Sequence, residues 1–136
     1  MKPKLKVLVI GGGGVSQLKL IHVLQQIDEV EVIAHVTSGE EAINQYSQLA
    51  PDLILVDIIT NGITGLETAR WIREQTPLIK IILLSTQFNK EFFSAIMTMG
   101  LDGYIVKDIT APVLREALKS LCAGTQYFSD KPKHPN

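Results

Sequence analysis

Strong charge of either sign is missing from this chain. Its 13 basic and 14 acidic residues leave a net charge of −1 over 136 residues, which offers no electrostatic footprint for nucleic acid. Basic residues gather only at the ends, as Lys2, Lys4 and Lys6 and as Lys131 and Lys133, where they read as solubilising groups. Cysteine is reduced to Cys122, which excludes an internal disulfide and suits a reducing, cytoplasmic setting. No apolar run approaches the roughly 20 residues that would span a bilayer, and Val7–Ile10 is too short for the core of a signal peptide. His22, His35 and His134 stand at no metal-binding spacing, and the pattern contains no acid–base pair or nucleophile–histidine arrangement, so the expectation is a protein that is not an enzyme. What is present is globular composition, 46% hydrophobic and 20% charged, in a length that suits one domain.

The chain alternates. Leu5 to Ile10 is an apolar run that leads into four glycines, Gly11 to Gly14, and then into a helical pattern of Val15, Leu20, Val23, Leu24 and Ile27 ending near Asp28. Val30 to Val36 is rich in β-branched residues, as strands are. Ser38, three residues before Glu41, opens a helix carrying Ala42, Ile43, Tyr46 and Leu49. Leu53 to Asp57 is a third strand, and Leu66, Ala69 and Ile72 lie on an amphipathic helix closed by Pro77. Ile79 to Ser85 is a strand, Glu91 to Met99 a helix stopped by Gly100, and Tyr104 to Lys107 a strand. Thr110 caps a last helix with Pro112 in its first turn, and Gly124 ends it. Trp71 and Cys122 fit core or near-core helix positions. Five strand–helix pairs with short connections predict an α/β, doubly wound parallel sheet of flavodoxin-like order 2-1-3-4-5.

In such a sheet the ligand crevice lies beyond the carboxyl ends of the strands. Those ends carry Gly11 and Gly12, Asp57, Ser85 and Lys107. Asp57 at the tip of a buried strand either caps the next loop or meets water, a cation or a reactant. Asp can accept a phosphoryl group as an acyl phosphate, a Ser hydroxyl can donate to its oxygens, and a Lys ammonium can neutralise them.

Together these segments resemble a response-regulator receiver domain (CheY-like) of the LuxR-type regulator subfamily. The likeness rests on Leu53–Asp57, on Asn61-Gly-Ile-Thr-Gly65-Leu66-Glu67, on Ile81–Ser85 and on Gly103-Tyr-Ile-Val-Lys107-Asp108. It spans about residues 4–128, with 129–136 expected as a flexible tail at the start of a linker. The resemblance implies that Asp57 is the phosphoacceptor position, Ser85 and Tyr104 the switch pair, and Lys107 the phosphate-contacting lysine. It also implies Mg²⁺, a histidine kinase or another signalling protein as partner, and homodimerisation through the fourth and fifth helices or the first. Direct nucleic-acid contact and membrane association are not expected of this domain.

The pattern breaks after the first strand. Receivers similar to this one carry two adjacent acids there, where this chain has Gly11 and Gly12. Mg²⁺ takes carboxylate and other hard oxygen ligands, and Asp57 with the backbone carbonyl of Ile59 is all that is left. The family's pocket charge of about −2 falls to about zero with Asp57 and Lys107 alone. The expectation is an atypical receiver, or pseudo-receiver, with weak or absent Mg²⁺ binding and impaired phosphorylation, in which Asp57 pairs with Lys107. Two alternatives stay open. One is a conventional phosphoaccepting receiver of a DNA-binding regulator. The other is an anion- or nucleotide-binding domain in which Gly11, Gly12, Gly13 and Gly14 form a nest of backbone N–H groups. The dinucleotide fingerprint itself fails, since its third glycine falls at Ser16 and no acid ends the second strand.

Overall fold

Strands that are apolar on both faces have to be covered on both faces, and this chain does so with helices on each side of one sheet. The computed structural model describes residues 4–106 and 109–130. In chain order the elements are β1 (Leu5–Ile10), α1 (Val15–Gln25), β2 (Val30–Val36), α2 (Gly39–Leu49), β3 (Leu53–Asp57), α3 (Gly65–Gln75), β4 (Lys80–Ser85), α4 (Lys90–Met99), β5 (Gly103–Val106), α5 (Ala111–Cys122) and β6 (Tyr127–Phe128). The sheet order is β2-β1-β3-β4-β5-β6, with every pairing parallel.

Alternation along the strands divides the core. Leu8, Ile10, Ile54, Val56, Ile81, Leu83 and Tyr104 pack with Ala42, Tyr46, Ala69, Ile72 and Ile96 of α2, α3 and α4. Val7, Val9, Leu53, Leu55, Ile82, Leu84 and Ile105 pack with Leu20, Leu24, Leu114, Ala117 and Leu121 of α1 and α5. Helix starts follow the capping chemistry. Ser38 Oγ accepts from Glu41 N, Thr64 and Glu67 form a reciprocal capping box, and Thr110 Oγ1 accepts from Val113 N.

Several expectations need correction. The sheet has a sixth strand, because Tyr127 and Phe128 pair with Gly103 and Tyr104, and Val106 N donates to Ser129 Oγ at 2.8 Å. Ordered hydrogen bonding thus runs one residue past the boundary expected at 128, while residues 131–136 lie outside the described residues. The first helix stops at Gln25, and α4 begins one residue early because Asn89 Oδ1 accepts from both Glu91 N and Phe92 N. Val15, Trp71 and Cys122 are exposed; the indole meets Tyr46 edge-on with ring centroids 6.3 Å apart.

Candidate functional site

The register of the sheet gathers the strand ends. Ile10 pairs with Val56, Asp57 with Leu84, and Ser85 with Val106. Gly11, Asp57 and Ser85 therefore meet along one edge, beside an open cleft of about 930 Å³ that reaches α1 and is lined by Gln17, Leu18, Asp57, Leu84, Ser85 and Gln87 among others. Lys107, expected as the phosphate-contacting lysine, lies outside the described residues, as does Asp108.

Asp57 is half-buried and each of its oxygens accepts a hydrogen bond. Oδ1 accepts from the backbone N–H of Ile59 at 3.0 Å, and Oδ2 accepts from Nε2 of Gln17 at 2.8 Å. Burial holds its pKa above 3.8, with the hydrogen bonds from Ile59, Gln17 and Ile58 pulling the other way. The start of α3 crowds the same strand tip, since a Cβ on Gly65 would fall 1.8 Å from the carbonyl oxygen of Asp57.

Gln17 is the residue that the motifs did not point to. It is 3% exposed, its carboxamide lies against Gly11, and a Cβ on Gly11 would come within 2.3 Å of its Cδ and Nε2. A signal for it does exist in the sequence. Gln17, Leu20 and Leu24 recur at helical spacing, so the inward stripe of α1 begins on a polar residue.

The divalent cation implied by the resemblance can be tested against these donors. Gly11 and Gly12 supply no side-chain oxygen, Asp57 is hydrogen-bonded at both oxygens, and the Ile59 carbonyl accepts from Gly12 N at 3.1 Å. Among the described residues no group of three or more His, Cys, Asp or Glu is placed to hold a metal ion. Gln17 Oε1, in the carboxamide beside Asp57, is buried without a hydrogen-bond partner, but it is a neutral amide oxygen, and with one carboxylate in reach this donor set does not fit Mg²⁺, which prefers charged oxygen ligands. The amides of the expected glycine nest are partly engaged within the fold. Gly11 N donates to Val36 O at 3.0 Å and Gly12 N to Ile59 O, so two of the four amides are turned into the fold and away from an anion. Gly13 and Gly14 adopt φ of 92° and 91°, the region that favours glycine.

Ser85 and Tyr104 are brought together. Ser85 Oγ donates to Gln87 O at 2.7 Å and accepts from Gln87 N at 3.3 Å. The Tyr104 ring is fully buried, stacked obliquely on Phe88 at 6.0 Å, and its hydroxyl reaches Gln87 O and Asn89 N. The aromatic expected to act as a switch thus points inward.

Comparison with known proteins agrees with this architecture. A family model described as the response regulator receiver domain matches residues 14–119, starting just after Gly11–Gly13. The chain is similar to a nitrate/nitrite response regulator protein homolog of Haemophilus influenzae, 31% identical over 98% of this chain and 64% of that protein. It is similar also to the response regulator GacA of Pseudomonas syringae pv. syringae, 29% identical over 92% of this chain and 58% of that one. The chain therefore spans about three fifths of the length of these curated relatives. In fold it resembles the isolated REC domain of RcsB from Salmonella enterica serovar Typhimurium, with a TM-score of 0.84 at 21% identity over 93% of this chain and 94% of that one.

Proposed function

Because this chain belongs to the response regulator receiver domain family, we propose that it is an atypical receiver in two-component signal transduction, working through protein contacts while Mg²⁺-dependent phosphorylation at Asp57 is impaired. One observation carries the reading. Asp57, at the phosphoacceptor position, has both carboxylate oxygens hydrogen-bonded by Gln17 and Ile59, and the neighbouring strand end offers glycines where a metal would need acids. A phosphoryl donor is itself anionic, so without a cation the two negative groups repel and the developing charge goes unshielded. The protein's part in signalling is then to present a fixed surface to a histidine kinase or another signalling protein, and it is not an enzyme.

Surface composition supports contact with a partner or with a second copy. Val15 and Leu18 at the start of α1 and Ile59 beside it are each more than two-thirds exposed, an apolar grouping next to the site. Met97 of α4 is exposed as well. Sedimentation of the protein alone at rising concentration is expected to show self-association that Leu18→Glu abolishes; a concentration-independent monomer would remove the homodimer from this reading.

The chemistry is tested by incubation with acetyl phosphate or phosphoramidate and Mg²⁺, followed by intact mass. The expected result is little or no mass gain. Rapid stoichiometric phosphorylation that Asp57→Ala abolishes would instead make this a conventional phosphoaccepting receiver.

A further inference from the structure

The loss of the acidic pair leaves a question of volume. A side chain at position 11 would extend from the end of β1 toward Asp57, and in this chain that space is filled. The Gln17 carboxamide occupies it so fully that even a Cβ on Gly11 would come 2.3 Å from Cδ and Nε2 and 2.5 Å from Oε1. Gln17 reaches there from the inward stripe of α1, is 3% exposed, and donates to Asp57 Oδ2 at 2.8 Å. The loop closes down around it, with Gly11 N bonded to Val36 O and Gly12 N to Ile59 O.

We propose that the Gln17 carboxamide is a resident substitute for the divalent cation, an internal group that takes the space of the side chain missing at position 11, satisfies Asp57 as a hydrogen-bond donor and keeps metal from that carboxylate. The proposal rests on the atypical-receiver reading and deepens it. Glycine at position 11 is a requirement of that arrangement, because any larger residue expels the amide. An amide N–H suits the position chemically. It donates to a carboxylate as a metal-bound water would, adds no charge to a half-buried place, and needs no oxygen cage. The N–H assignment follows from chemistry, since turning the amide over would set Oε1 against the Asp57 carboxylate. A glutamine that merely filled the core would leave cation access indifferent to its removal.

The test restores one acid, at position 12, where a Cβ meets nothing closer than 3.5 Å, with and without the amide in the 136-residue chain. Mg²⁺ is titrated into Gly12→Asp and into Gly12→Asp/Gln17→Ala, both keeping Gly11 so that the amide stays seated in the first, following backbone amide shifts by NMR. The version lacking Gln17 is expected to bind at least about tenfold more tightly, the scale on which groups around a metal govern its affinity. Equal affinities, or tighter binding with Gln17 kept, would overturn the proposal; the latter would make its amide oxygen a ligand. Should the double variant fail to fold, the unaltered chain still decides. Its Gln17 NH₂ protons are expected to exchange with water far more slowly than those of an exposed glutamine such as Gln25, and exchange at the free rate would overturn it. Phosphorylation of the unaltered chain would sink the functional reading, whereas these amide and Mg²⁺ measurements bear on Gln17 alone.

Discussion

Ser85 and Tyr104 share one acceptor: both hydroxyls donate to the backbone carbonyl of Gln87, at 2.7 Å and 3.4 Å. The two contacts are unequal. At 3.4 Å the Tyr104 bond is at the weak end of the range, while the serine bond is short and is backed by Gln87 N returning to Ser85 Oγ. The inward position of Tyr104 therefore depends on its ring, buried against Phe88, more than on its hydroxyl.

Removing each hydroxyl should separate these contributions. Ser85→Ala loses a donor and an acceptor in a buried turn and is expected to cost about 1–2 kcal/mol, at roughly 1 kcal/mol per net hydrogen bond. Tyr104→Phe keeps the ring and is expected to cost under about 1 kcal/mol. Urea denaturation measures both. The reverse order would mean that the phenol, and not the packing, holds the aromatic inward.

Asp57 predicts a pH dependence. Burial raises its folded pKa above the model-compound value of 3.8, so the folded protein holds that proton more tightly than the unfolded chain does. The resulting stabilisation is complete below pH 3.8 and is lost as pH rises through the folded pKa. At pH 7 the ionised carboxylate is therefore a net cost. Asp57→Asn, which removes the charge and keeps the shape, should melt at a higher temperature than the unaltered chain at pH 7, with the gap closing as the pH falls through the raised folded pKa toward 3.8. A gap that is absent at neutral pH, or that widens on acidification, would contradict this sign.

Much of this arrangement could be read before the structure, and the reasons are specific. β1, β3 and β4 are legible because a strand covered on both sides must be apolar without a break, as Val7–Ile10 and Leu53–Val56 are. Ser38 and Thr110 are legible because their hydroxyls have a stereotyped task at a helix start. β6 leaves no such trace, since two residues held by backbone pairing need no composition of their own. Gln17 leaves no apolar signal because it is polar, while Val15, apolar and in the same helical pattern, is 69% exposed. Asp102 reads as a turn residue before Gly103, yet its carboxylate is an anchor for three segments.

That anchor gives a stability prediction. Asp102 Oδ2 accepts from Arg73 Nη2 at 2.6 Å and from Ile81 N at 2.8 Å, while Arg73 Nη1 also holds the carbonyls of Pro77 and Ile79. The pair, 14% and 19% exposed, joins the end of α3 to the starts of β4 and β5. Asp102→Ala leaves a mostly buried guanidinium and a strand amide without their partner, and should cost about 2–4 kcal/mol. Asp102→Asn, which can still accept from Ile81 N, should cost about half as much. Chemical denaturation of the two variants checks the order, and a cost below about 1 kcal/mol for Asp102→Ala would reduce the bridge to a surface pair.

Two glycines beside Asp57 are small for different reasons, and substitution should tell them apart. A Cβ on Gly65 would meet the carbonyl oxygen of Asp57 at 1.8 Å and its carbon at 2.7 Å, both backbone atoms of a central strand that cannot step aside. Gly65→Ala must push the start of α3 away from β3 and should cost about 3 kcal/mol or more, at the upper end of overpacking penalties. At Gly11 the obstacle is the far end of a long side chain, Gln17, which a Cβ would displace into the cleft. Gly11→Ala should therefore cost less, about 1–2 kcal/mol, roughly the hydrogen bond to Asp57 and the burial of the amide. Thermal melts give the ranking, and NMR shifts of the Asp57 carboxyl carbon should move in both variants. In Gly11→Ala the Gln17 side-chain NH₂ signals should also move toward those of a solvent-exposed amide. Equal stability loss at the two positions would mean that Gln17 is held as rigidly as the backbone.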